Sequence, residues 1–274
     1  MNGFVANNEI AIRLSIFFLV FIVLSWWEIR FPRRSLRIAK QQRWCHNWAI
    51  SIFNAVFLKL TFPIMGVGMA LMAQEKQWGL LNYLEFPMWV EVIIFVCIFD
   101  LVIYFQHRLF HLVTPLWRLH RVHHIDLDFD VTTGNRFHPV SIMLSMLIKL
   151  GLVLVIGPMA FAVILSEILL NATSMFNHSN IYIPSHFDRV LRYFIVTPDM
   201  HRVHHSTNKQ EHNCNFGFNF PWWDRLFGTY QAQPVAGHEH MNIGIQGFYG
   251  DKAIKFYWLL VQPVLTPGQL KGDN

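Results

Sequence analysis

The pentapeptide His-Arg-Val-His-His occurs twice in this chain, at residues 120–124 and 201–205, and a third box, His107-Arg-Leu-Phe-His111, precedes the first copy. Even with 15 histidines in 274 residues, chance supplies His-x-x-His-His only about 0.05 times over such a length. Imidazole binds zinc, copper, iron or nickel, and side chains at i, i+3 and i+4 share one face of a helix. Each box is therefore expected to present its histidines to one point. The eight rings of His107, His111, His120, His123, His124, His201, His204 and His205 divide naturally into ligands for two metal ions, about four apiece, with room for an exogenous ligand. The set contains no thiolate, unlike a structural zinc finger, and no Glu-x-x-His motif, unlike the soluble di-iron bundles. Neutral ligands leave the metal charge largely uncompensated, which favours bound hydroxide, oxide or dioxygen-derived anions and makes a Lewis-acidic site open to an oxidant.

Two further histidines are candidates for the same centre. His178, in Phe176-Asn177-His178-Ser179-Asn180, directly follows an apolar stretch, where ionisable groups are functional by default. His138, in Arg136-Phe137-His138-Pro139, fits a metal ligand, a group that orients a ligand, or a residue at an interface. His46, His186, His238 and His240 stand alone, and His212 is out of register with the last box, so each is expected at the surface. Asp100, seven residues before His107, could hold an imidazole tautomer. Asp199 could do the same or cap a helix, and Asp126, Asp128 and Asp130 read as a solvated turn.

The elements that carry these residues are membrane spans. Hydrophobic residues make up 53% of the chain and charged residues 14%, against about a quarter charged in ordinary globular proteins. Apolar runs occupy about 10–27, 48–73, 88–106 and 139–172. The last is too long for one span and is broken at Gly157-Pro158, so a helical hairpin of two short spans is expected there. The first lacks the basic leader and small-residue cleavage site of a signal peptide and reads as a retained span. Residues 253–264 are too short to cross and read as an interfacial helix. Lys59 and Lys149, inside apolar runs, are expected to snorkel.

Arg30, Arg33, Arg34, Arg37, Lys40 and Arg43 crowd the first connector, whereas the second, about 74–87, has Lys76 opposed by Glu75 and Glu85. Positive-inside logic places the first connector in the cytoplasm. The third span then delivers His107 to that side, and the hairpin returns the second pentapeptide to it. The net charge of +5 belongs to these loops. No basic stripe interleaved with aromatics marks a nucleic-acid binder. Cys45, Cys97 and Cys214 form neither a disulfide framework nor a CxxC.

The flanks of the boxes sharpen the reading. Trp117-Arg118-Leu119 leads into the first pentapeptide, and Asp130-Val-Thr-Thr-Gly-Asn-Arg136-Phe-His138-Pro139 follows it. Thr197-Pro-Asp-Met leads into the second, with Asn215-Phe-Gly-Phe-Asn219 and Trp223-Asp224-Arg225-Leu226-Phe227-Gly228-Thr229-Tyr230 beyond. Over about residues 90–235 this pattern resembles the fatty acid hydroxylase/sterol desaturase superfamily of membrane di-iron oxygenases.

The resemblance implies an all-α integral membrane protein of four to five spans with a cytosolic helical cap holding two irons. It implies O2-dependent hydroxylation or desaturation of a lipid (sterol, fatty acyl or related), with electrons from an external cytochrome b5-, ferredoxin- or reductase-type donor. Carried over by position, the eight box histidines are ligands, and the family commonly uses a histidine at the place of His178. Some members carry another four residues later, where this chain has Tyr182. No fused cytochrome b5-like domain is expected, since little chain follows the last box. The expected organisation is N-terminal spans and connector over 1–87, a catalytic domain over 88–235, and a tail with the interfacial helix over 236–274. Phe105, Phe110, Trp117, Phe137 and Phe176 are candidates to line a lipid path. The rival readings are a membrane metal-binding or transport protein, a b-type haem carrier and a di-zinc membrane hydrolase.

Overall fold

A computed structural model describes residues 8–265, which are almost wholly helical, with two isolated β-bridges and no strand among the described residues. The helices that matter here are α1 (Glu9–Arg30), α2 (Lys40–Thr61), α3 (Gly66–Glu75), α4 (Met88–Leu112), α5 (Thr114–His124), α6 (Pro139–Ile156), α7 (Ala160–Asn177), α8 (Ser185–Leu191) and α9 (Pro198–His204). Five stretches are long and apolar enough to cross a membrane: α1, the α2–α3 region, α4, α6 and α7. Their outward faces carry bare apolar side chains, such as Leu19 and Ile22 on α1 and Val56 and Leu60 on α2. Lipid, not water, is the solvent that such faces suit.

The expected hairpin is present. α6 ends at Gly157, whose φ of 66° is left-handed backbone, and Pro158 follows before α7 begins. The turn is pinned by close approach: a Cβ on Gly79 would lie 2.3 Å from the Gly157 nitrogen. The run expected over 48–73 is instead two helices. Pro63 has no N–H to continue α2, and Phe62 before it is extended (φ −112°, ψ 107°), as the residue before a proline prefers.

Within a bilayer, apolar burial drives little helix association, so close packing must hold the bundle. Phe95, Phe99 and Ile103 of α4 pack with Ala160, Val163 and Ile164 of α7, and Val67 and Ala70 of α3 join them. The expected interfacial helix over 253–264 is broken into Asp251–Ile254, Phe256–Val261 and a 3-10 turn, Gln262–Val264. Ala253, Ile254 and Leu259 are buried with Ile50, Val122 and Ile125. This tail therefore packs beneath the histidine layer, and its apolar residues are taken up by protein.

Candidate metal centre

Four elements deliver the histidines to one layer at the end of the bundle. The last two turns of α4 bring His107 and His111, and α5 brings His120, His123 and His124. His178 caps the C-terminus of α7, and α9 carries His201 and His204 with His205 just beyond. α5 and α9 each begin at a proline in the first turn, where a missing N–H costs nothing. Thr197, not Asp199, caps α9, its hydroxyl accepting from the Met200 N–H.

Nine of the ten candidate histidines converge, in two groups. His107, His111, His120, His124 and His204 form one; His123, His178, His201 and His205 form the other. In each, the candidate ligand nitrogens lie within 4.8 Å of one another. The boxes are therefore interleaved and do not each serve one point. At about 100° per residue, i and i+4 lie nearly above one another while i+3 is turned away to the other side. Accordingly His120 and His124 share a group and His123 goes to the other; His201 and His205 share a group and His204 crosses over.

The hydrogen bonds behind the rings fix their tautomers. His107 Nδ1 lies 2.8 Å from the Phe216 carbonyl and His204 Nδ1 2.7 Å from the Cys214 carbonyl. A carbonyl only accepts, so both Nδ1 atoms carry the proton and both Nε2 atoms present lone pairs. Yet those two Nε2 atoms are 3.0 Å apart. The other group repeats the situation: His178 Nδ1 donates to Ser174 and His123 Nδ1 to Arg136, while their Nε2 atoms stand 3.0 Å from each other. Two lone pairs pointed at each other repel unless a cation lies between them, so each group fits a metal ion on this ground.

Burial and neighbouring imidazoles hold His120, His123, His124, His201, His204 and His205 well below the ordinary histidine range. Burial carries His178 down to about 3. These seven rings are therefore uncharged ligands at neutral pH.

Beneath the layer sits an ion cluster that the sequence reading did not anticipate. Arg43, expected only as a connector charge, is wholly buried. It grips Asp126 with two hydrogen bonds of 2.8 and 2.7 Å and also pairs with Asp130. Asp126, Asp128 and Asp130 are buried and form no solvated turn. Burial alone would raise Asp126, but Arg43 and Arg136 carry it far below the usual carboxylate range. Arg136 in turn holds the Val122 carbonyl and offers its own carbonyl to His123. The signal available was Arg43 and Asn47 one turn apart on α2, each matching a partner in 126–136.

Several expectations are redirected. His138 joins neither group: it caps α6, its Nδ1 accepting from Val140 and its Nε2 donating to the Leu260 carbonyl. Asp100 holds the loop after the last box, accepting from the Asn219 and Phe220 N–H groups and from Trp223 Nε1, and touches no imidazole. Asp199 pairs with Arg33 and Arg202. His238, expected at the surface, is buried 3.6 Å from Asp199. His212 is half-buried, its ring centre 5.0 Å from that of His111 and 4.6 Å from that of Trp117, at the rim of the five-histidine group. Tyr182 is exposed beneath Arg33, away from both groups.

A cavity of about 220 Å³ runs from His107 and His120 into the bundle. Phe110 and Phe137 line it as expected, and Phe218 joins them. Phe105 packs on Phe227, Trp117 on His111 and His124, and Phe176 beside Met175, outside the cavity. Phe137 also stacks on His123 at 4.6 Å.

Apolar helices above a layer of paired histidine groups define an integral membrane protein built around two candidate metal sites. A sequence model of the fatty acid hydroxylase family matches residues 92–229, which include every histidine in both groups. The chain belongs to that family. It is 29% identical to an ornithine lipid hydroxylase of Rhizobium tropici over 68% of this chain and 54% of that protein. It is 31% identical to the alkylglycerol monooxygenase of Homo sapiens over 47% of this chain and 28% of that protein. The Danio rerio alkylglycerol monooxygenase is 27% identical over 77% of this chain and 45% of that protein. The chain thus spans about half or less of the length of the curated relatives it matches. No solved structure matches.

Proposed function

We propose that this chain is a membrane di-iron oxygenase that hydroxylates or desaturates a lipid with O2. The observation that carries the reading is the pair of opposed Nε2 lone pairs, 3.0 Å apart, in each histidine group. His107, His111, His120, His124 and His204 would hold one iron, and His123, His178, His201 and His205 the other. When bound, the irons would supply the activation of O2 by which a C–H bond, O2, two electrons and two protons become C–OH and water. Desaturation of a C–C bond takes the same electrons and yields two waters. An external redox protein supplies the electrons, and the bilayer supplies the lipid. The relatives support the lipid reading, since their names describe lipid hydroxylation and alkylglycerol oxygenation.

The chain's own residues do the rest. The carbonyls of Phe216, Cys214, Ser174 and Arg136 set the imidazole tautomers. The Arg43–Asp126 cluster fixes the loop that carries Arg136. Phe110, Phe137 and Phe218 border the cavity where it meets the histidines and exclude water there. The connector residues Arg33, Arg34 and Arg37 bond to the cap through Asp199, the His238 carbonyl and Asn242. Together with the positive-inside rule, these bonds support a cytoplasmic histidine layer.

Protein purified from iron-supplemented cells, assayed with a lipid extract, a reductant and labelled O2, tests the reading. Two irons per chain and transfer of label into a lipid, or labelled water with a new double bond, are expected. Two zinc ions with O2-independent hydrolysis would replace it with the hydrolase reading, and weak, exchangeable metal would favour transport.

A further inference from the structure

The cavity beside the five-histidine group is lined by apolar side chains and by more polar ones than a hydrocarbon chain calls for. Polar side chains from four membrane helices turn into it: Ser51 and Asn54 of α2, Gln106 of α4, Ser145 and Lys149 of α6, and Asn171 of α7. Polar groups at membrane depth are costly and kept for function. Their bonding state is informative. Asn54 is 6% exposed, and its amide N–H donates 2.8 Å to the Phe137 carbonyl. Its Oδ1 is buried without a partner, and so is Gln106 Oε1. A buried acceptor left unmatched is destabilising. Both residues line one cavity, and each keeps an acceptor oxygen without a partner, so the group missing beside them is a hydrogen-bond donor. Lys149 is held to the wall by Glu167 at 3.4 Å, and Glu167 also pairs with Arg13. This carboxylate keeps the lysine from snorkelling.

Size points the same way. Cavities that enclose a whole drug-sized ligand run from about 300 to 1,000 Å³. A space of about 220 Å³ therefore takes one part of a lipid.

We propose that the part is the head: the cavity binds a lipid by a hydroxyl- or amine-bearing head group that donates to Asn54 and Gln106. The tail runs outward between the helices, and the C–H bond brought to His107 and His120 lies in or next to the head group. As a statement about which carbon reacts, this rests on the oxygenase reading; as a statement about binding, it stands apart from it.

A matched pair of probes tests it on the whole protein in detergent: 1-monopalmitoylglycerol and propyl palmitate. These share chain and ester and differ in two hydroxyls. Their binding is measured by native mass spectrometry, with metal content recorded alongside. The hydroxylated probe is expected to bind about tenfold tighter, and Asn54→Leu and Gln106→Leu are each expected to lower that preference about fivefold. Ser145→Ala, a gentler change on the same wall, is expected to lower it about twofold with metal content unchanged. Equal binding of the two probes, or a preference that survives both leucine variants, overturns the proposal. If the selectivity holds in a protein that carries no iron and oxidises no lipid, the head-group site stands and only the oxygenase reading falls.

Discussion

The two histidine groups are made from the same repeated pentapeptide yet have different surroundings. The four-histidine group is fully enclosed, with every ring buried and Phe129 packed over His178 and His205. The five-histidine group opens on two sides. His107 and His120 face the cavity, while His111 is only half-buried and abuts His212 and Trp117 at the rim. On the proposed reading the contrast is a division of labour: the enclosed group would retain its metal, and the open group is the side from which a substrate would approach.

Breaking the enclosed group has the largest expected effect. His205→Ala removes one of only four ligands, and activity and the metal of that site are expected to vanish together in paired assays. Next comes the foundation the two groups share. Arg43→Leu leaves Asp126 and Asp130 buried without their cation, and a loss of about 3–5 kcal/mol in stability is expected by denaturant unfolding. Wild-type stability after Arg43→Leu would show that the ion cluster is not what anchors the cap.

The open group should tolerate more. His111→Ala leaves four ligands at its site, and activity is expected to fall about 10- to 100-fold with metal still bound, the range seen when support of a site is weakened. Equal, complete losses for His111→Ala and His205→Ala would erase the distinction. His138→Ala should do least: an N-cap is worth about 1 kcal/mol, with iron content and product unchanged.

Acid titration of the metal-free protein probes the same burial. The seven cap and flanking histidines have lowered folded-state values, with His178 at about 3. Below the unfolded value of about 6.5 the unfolded chain binds more protons than the folded one. Stability is thus fully present above about pH 6.5 and is expected to fall steadily as pH drops toward 3, read as a declining unfolding midpoint.

Much of this was legible because short-range rules govern it. The hairpin at Gly157-Pro158 and the convergence of the boxes with His178 follow from backbone chemistry and helical spacing. The interleaving was available in the same spacing, since i+3 and i+4 diverge by about 100°. What could not be read is what depends on distant partners. Whether Arg43 is a loop charge or the buried anchor of Asp126 is decided by residues 83 positions away. His138 resembles a ligand in its flanks, but the Leu260 carbonyl on the tail claims its ring. His238 and Asp199 meet only after the connector folds over the cap.

The central claim is that the repeated pentapeptide builds two distinct metal sites that share its histidines. Anomalous X-ray scattering at the iron edge, from crystals of the iron-loaded protein, tests it most directly. Two maxima are expected, one ringed by His107, His111, His120, His124 and His204 and the other by His123, His178, His201 and His205. A single maximum, or none at either group, would contradict it.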